Sequence, residues 1–108
     1  MEKSLFLEFV GESSLARILD VLIDELDIDM SKKDIAERTE LSRTTVFNHW
    51  PELEKFGVVK ETRRFGKTKL YTLNRESPVV QKLLTLESAL IKQDIEKTVK
   101  EKEMLVNA

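Results

Sequence analysis

The sequence predicts a mainly α-helical fold with one small β-hairpin and a long C-terminal helix. Three observations carry that expectation. Apolar residues recur at steps of three and four over 14–26, and again from residue 79 onward, which is the period of helices with a buried side. Between those stretches, residues 58–74 alternate β-branched or aromatic residues with polar ones around Phe65-Gly66-Lys67, the pattern of a hairpin. The chain has 108 residues, 41% hydrophobic and 35% charged, which fits one compact domain and is too apolar for a disordered chain.

Residues 5–10, Leu-Phe-Leu-Glu-Phe-Val, form a short apolar run that reads equally as a strand or a packed N-terminal turn. Gly11 ends it. Ser13 or Ser14 then caps a helix, because a hydroxyl accepts from an otherwise unpaired first-turn amide. Leu15, Ile18, Leu19, Leu22, Ile23 and Leu26 make one broad stripe, so this helix covers about 14–26 and belongs to the core. A connection, Asp27-Ile28-Asp29-Met30, leads to Ser31-Lys32-Lys33-Asp34, a capping box that opens a short helix over 32–39 with Ile35 and Ala36 inward. After the turn Thr39-Glu40-Leu41, Ser42 caps a third helix over 43–56. Val46, Trp50 and Leu53 share its inner face. Pro51 lacks an amide proton and crowds the carbonyl of Phe47, so a kink or a division into 43–50 and 51–56 is expected. Gly57 suits a left-handed end to that helix.

In the hairpin, Val59, Tyr71 and Leu73 are expected to face the core, while Arg63, Arg64, Lys67 and Lys69 crowd the tip. Ser77-Pro78 opens the last helix with a capping serine and a proline at the first helical position. This helix carries two apolar stripes: Val79, Leu83, Leu86 and Leu90, and then Leu84, Ile91, Ile95 and Val99. One stripe closes the domain; the second has no cover within the chain and is expected at a homodimer interface. The tail from Lys100 is expected to fray. The chain therefore divides into a unit over 1–76 and a dimerisation helix over 77–108.

Charge is unevenly spread. Residues 1–42 balance at −6, residues 43–75 at +5 and residues 76–108 at −1. A positive middle third inside a chain of net charge −2 is a local field that attracts polyanions. The absence of cysteine excludes a disulfide scaffold, a thiolate metal site and a cysteine nucleophile. One histidine (His49) and three glycines leave little for acid–base catalysis or a phosphate-cradling loop. No triad, paired-carboxylate or metal spacing appears, so neither an enzyme nor a cofactor or metal is expected. Asp20, Asp24, Glu25, Asp27 and Asp29 fit a solvated outer face better than a cation site. No apolar run is long enough to span a membrane, and the N-terminus has no cleavable signal pattern, so a cytoplasmic location is expected.

The order helix, helix, turn, helix, basic hairpin is the layout of a helix-turn-helix with an appended wing. DNA's major groove admits one α-helix, whose N-terminal side chains reach base edges. The positions off the Val46/Trp50/Leu53 face are Arg43, Thr44, Phe47 and Asn48. Arg43 matches guanine, Asn48 matches adenine, and Phe47 can lie on a thymine methyl or pack at an edge of the domain. Ser42 and Thr44 can donate to phosphate, and Arg63, Arg64, Lys67 and Lys69, in a wing over 60–69, to phosphates or a minor groove. His49 reads as structural or surface, and Trp50 as core.

Residues 14–90 also resemble the winged helix-turn-helix transcriptional regulators, and among them the arsenic-repressor-like (ArsR-like) and related archaeal members. The carrying segments are Ser31-x-x-Asp34-Ile35-Ala36, Leu41–Val46, Leu53–Val59, Arg63–Lys67, Lys69–Asn74 and Asn74–Val80. The resemblance implies a homodimer on double-stranded DNA, commonly a repressor, with contacts from Arg43, Thr44, Phe47, Asn48 and the wing tip. The lack of cysteine departs from the metal-sensing branch, and Trp50-Pro51 from the uninterrupted recognition helix of many relatives. A rival expectation is a winged-helix docking module that binds protein and not DNA.

Overall fold

A computed structural model describes residues 3–107, so the outermost limits expected for the two units, residues 1 and 108, lie outside the described residues. The element order is α1 (Leu5–Val10), α2 (Ser14–Asp24), α3 (Lys32–Thr39), α4 (Arg43–Lys55), β1 (Val59–Phe65), β2 (Thr68–Leu73) and α5 (Pro78–Asn107).

Local signals account for most of these boundaries. Ser13, Ser31 and Ser42 each occupy an extended cap position and accept from the amide three residues on. At α3 the box is complete: Asp34 N–H donates to Ser31 Oγ at 3.1 Å, and Ser31 N–H donates to Asp34 Oδ2 at 3.0 Å. α4 ends in a Schellman motif, with Val58 N–H on Leu53 O, Gly57 N–H on Glu54 O, and Gly57 at φ 66°.

Residues 5–10 are a helix, which resolves the open expectation there. Ser4 Oγ accepts from Leu7 N–H at 3.1 Å and donates to Asp20 Oδ1 at 2.7 Å, so one hydroxyl both caps α1 and ties it to α2. Phe6 is the α1 residue driven into the core. Helix α2 stops at Asp24, two residues before the periodicity runs out.

Pro51 does not divide α4, which is continuous over Arg43–Lys55. The missing hydrogen bond is the one to the Phe47 carbonyl, and both Pro51 and Phe47 lie on the exposed side. Water can serve that carbonyl there, so the break expected from proline in a buried helix does not follow.

β1 and β2 form an antiparallel pair closed by the two-residue loop Gly66-Lys67 between Phe65 and Thr68. Gly66 has φ 59°, and it is the loop residue with positive φ, as a type II′ turn requires. The register shifts between Glu61 and Arg63, which leaves Thr62 as a bulge. Met30 exchanges both backbone hydrogen bonds with Tyr71, at 2.9 and 2.8 Å, a single antiparallel bridge on the other side of β2.

The core unites Phe6, Ile18, Leu22, Ile35, Val46, Trp50, Leu53, Val59, Tyr71 and Leu73 with Val80 from α5. Trp50 and Tyr71 meet edge to face, with ring centroids 4.8 Å apart. The inward residue of the first turn of α5 is Val80, fully buried, not Val79, which is 46% exposed. Neighbouring valines on a helix differ by about 100° in direction, and only the docking of the helix selects between them. The tail expected to fray is helical as far as Asn107. Its Lys, Glu, Met and Leu residues are strong helix formers, which favours the helical form without holding it alone.

Candidate nucleic-acid interface

The helix-turn-helix is built by α3, the three-residue turn Glu40-Leu41-Ser42, and α4. Thr39 closes α3 by donating its hydroxyl to Ile35 O at 2.7 Å. The backbone then enters the left-handed region at Glu40, φ 60°, which redirects the chain into the Ser42 cap. Because Val46, Trp50 and Leu53 are held in the core, the rotation of α4 about its axis is set. Arg43, Thr44, Phe47 and Asn48 are all left exposed, as their spacing predicts.

The four side chains are not equivalent. Among the described residues, Arg43 and Asn48 have neither an ion-pair nor a side-chain hydrogen-bond partner, so their polar groups are available to an incoming surface. Phe47 is 52% exposed. Ser42 Oγ already accepts from Thr45 N–H at 3.0 Å and lies 2.8 Å from Thr45 Oγ1, so its first task is structural. His49 is half-buried beside the core face, as its position in α4 predicts.

Sequence reasoning missed Lys32. It is the first residue of α3, where a cation opposes the helix dipole. Three rings offset that cost: the ammonium lies 5.0 Å from the Phe47 centroid, 5.2 Å from Trp50 and 5.7 Å from Tyr71. Phe47 is thereby fixed in place from one side, and a positive charge stands next to the exposed face of α4. The signal available in the sequence was a lysine directly after a capping serine; the rings arrive from α4 and β2, far along the chain. Burial, with Glu54 and Glu61 nearby, pushes the Tyr71 phenol above its ordinary value, so that ring stays uncharged at neutral pH.

In the wing, every side chain from Lys60 to Lys69 is exposed. Arg64 and Lys69 both approach Glu61, at 3.5 and 3.7 Å, in solvent-screened pairs that are easily exchanged for other anions. Lys67, at the tip, has no ion-pair partner among the described residues. Arg63 differs: its Nε and Nη2 bind the Asp29 carboxylate at 2.8 and 3.3 Å. Arg75 binds Asp27 in the same two-pronged way. A cleft of about 1040 Å³ lies elsewhere, among α1, α2, α3 and α5; none of the expected DNA-contact residues lines it, whereas Leu84 and Ile91 of the expected dimer stripe do. Among the described residues, no group of three or more His, Asp or Glu side chains is placed to hold a metal ion. Also among them, no helix is long and apolar enough to cross a membrane.

The expected interface residues of α5 fall into two groups. Ile91, Ile95 and Val99 are exposed along one side, whereas Leu84 packs against the core of its own domain.

This arrangement has solved counterparts. The reduced form of HlyU from Vibrio cholerae matches with a TM-score of 0.55 and 31% identity, over 68% of this chain and 75% of that one. The chain belongs to the winged-helix transcriptional regulators. The same winged-helix fold is found in apo ZitR from Lactococcus lactis, at TM-score 0.62 and 17% identity over 94% of this chain and 80% of that one. It is found too in MepR from S. aureus, solved as a complex with DNA, at TM-score 0.58 and 17% identity over 94% and 84%. No family model and no curated protein sequence matches this winged-helix chain.

Proposed function

We propose that this protein is a homodimeric, sequence-specific double-stranded DNA-binding regulator, with no catalytic role. α4 enters the major groove, and the wing over 60–69 lies on the backbone or in a minor groove. The observation that carries the reading is the open face of α4: Arg43, Thr44, Phe47 and Asn48 stand together in solvent while the opposite face of the same helix is locked in the core. Arg43 and Asn48 supply base-edge contacts. Thr44 and Ser42 supply phosphate contacts, and so do Arg64, Lys67, Lys69 and the newly found Lys32. MepR, which shares the fold, is solved with DNA. Within the family, the stretch Asn74–Val80 supports placement among the ArsR-like, archaeal members, and that resemblance also favours repression. The unit over 1–76 is the DNA-binding part, and the segment over 77–108 is the dimerisation helix.

Fluorescence anisotropy with genomic fragments, repeated across salt concentrations, tests the proposal. Saturable binding is expected, with log K falling linearly against log salt as counterions are released. Arg43→Ala or Asn48→Ala costs about 1–3 kcal/mol on the preferred sequence and flattens discrimination at one base position. Lys67→Ala weakens all sequences alike and lowers the salt slope by about 0.9. No saturable complex at low salt rejects the reading in favour of a protein-docking module.

A further inference from the structure

We infer that Asp29 and Arg63 form a strut that sets the pose of the wing, with Arg63 acting as a positioning residue rather than as a phosphate contact. The strut begins in the connection between α2 and α3. Met30 is bonded on both sides of its backbone to Tyr71, so Asp29 is fixed at the edge of β2 away from β1. Arg63 lies on β1 and therefore reaches across β2 to bind it. Both carboxylate oxygens are used: Oδ2 accepts from Nε at 2.8 Å, and Oδ1 from Nη2 at 3.3 Å. Thr62 Oγ1 donates to the same Oδ2 at 2.8 Å.

That convergence needs the bulge. In a regular strand, neighbouring side chains point to opposite faces, so Thr62 and Arg63 could not share one carboxylate. The register shift between Glu61 and Arg63 makes Thr62 the extra residue and turns both side chains toward Asp29. Arg63 also lies over the Phe65 ring, with Cζ 5.0 Å from its centroid. A carboxylate, a guanidinium and an aromatic ring thus form a continuous line from the body of the domain to the wing tip. Arg63 and, next, Thr62 hold the Asp29 carboxyl below its ordinary value, so it carries its charge at neutral pH and loses it only in acid. One of the two bidentate edges of the guanidinium, Nε with Nη2, is already occupied by Asp29. An exposed ion pair adds little to global stability, so its effect falls on local wing geometry.

The consequence for DNA rests on the proposed function; the strut itself does not. Hydrogen exchange on the DNA-free protein therefore comes first, with Asp29→Ala, Arg63→Ala and the charge-swapped double variant Asp29→Arg/Arg63→Asp. Either single change is expected to speed exchange of the amides over 62–69 several-fold, leave the amides of α2 and α4 unchanged, and be partly reversed in the swapped pair. Wing amides that exchange as in the wild type overturn the strut. DNA titration across salt comes second. The two single variants are expected to weaken binding to similar extents at an unchanged salt slope. If Arg63→Ala instead lowers the slope by about 0.9, Arg63 is a phosphate contact and the positioning role is wrong. A wild type that binds no duplex removes the DNA reading and leaves the exchange result to decide the strut.

Discussion

Glu40 shows how a single residue is set against its own preference by the fold. It closes α3 in a Schellman arrangement, with Leu41 N–H on Ala36 O and Glu40 N–H on Glu37 O. This requires the left-handed φ of 60°, where an L side chain costs about 1–2 kcal/mol. Glycine fills the equivalent place after α4, at Gly57 with φ 66°. Glu40→Gly relieves the strain but adds freedom to the unfolded chain, a loss of about 0.5–1 kcal/mol. A net gain of up to about 1.5 kcal/mol in unfolding free energy is expected in urea denaturation. Glu40→Val, β-branched at the same φ, is expected to move the midpoint the other way. Equal midpoints for the three proteins would mean that the turn stores no strain. Because the side chain is exposed and separate from Arg43 and Asn48, DNA affinity is expected to stay the same in Glu40→Gly.

At the scale of elements, a buried carboxyl oxygen without a partner lies on α5, near Asp20 and Asp24 of α2. Glu87 is half-buried, and its Oε2 is buried without a hydrogen-bond partner. Burial first, then Asp20 and Asp24, pushes its carboxyl above the ordinary value. A raised folded-state value means the folded protein binds the proton more tightly than the unfolded chain. Stability from this group is therefore full below the unfolded value and is lost as pH rises through the folded one. Glu87→Gln is expected to raise Tm at pH 7 and to raise it less at pH 4; the same gain at both pH values would show that ionisation is not the cause. This interface also shows what the sequence could convey. α2, α3, α4 and the hairpin were legible because their caps and periodicity are local: Ser31 and Asp34 answer each other within one turn, and Val46, Trp50 and Leu53 mark a face with no outside information. The exposed set on α4 was legible for the same reason, as the remainder of that face. What could not be read depends on distant partners. α1 needed the Ser4–Asp20 bond, the Met30–Tyr71 bridge joins positions far apart, and the choice of Val80 over Val79 waits on the docking of α5. The rings around Lys32 and the Asp29–Arg63 pair belong to this second class.

The whole molecule is elongated, 61 × 28 × 22 Å, because α5 leaves the domain. Thirty helical residues span about 45 Å. The residues from 91 to 106 are exposed on every side, including Ile91, Ile95 and Val99 at steps of four. A helix end of that length is marginal in water on its own and needs packing to persist. The expected cover is the same helix of a second copy, since a two-fold pair buries one patch against itself. Such a pair would also set two α4 helices for half-sites about one DNA turn apart, roughly 34–36 Å. Ile95, 57% exposed, is the test position because a glutamate there meets no neighbour in its own domain. Wild type is expected to sediment at twice the chain mass, and Ile95→Glu at the chain mass with an unchanged wing and α4. Circular dichroism should show the loss of a few helical turns in the same variant, as the released end of α5 melts. Affinity for a two-fold symmetric DNA site should then fall toward that for a single half-site, while the salt slope for the half-site stays the same. A wild type that sediments as a single chain, or an Ile95→Glu variant that remains at twice that mass, means that the face of α5 centred on Ile95 does not join two copies.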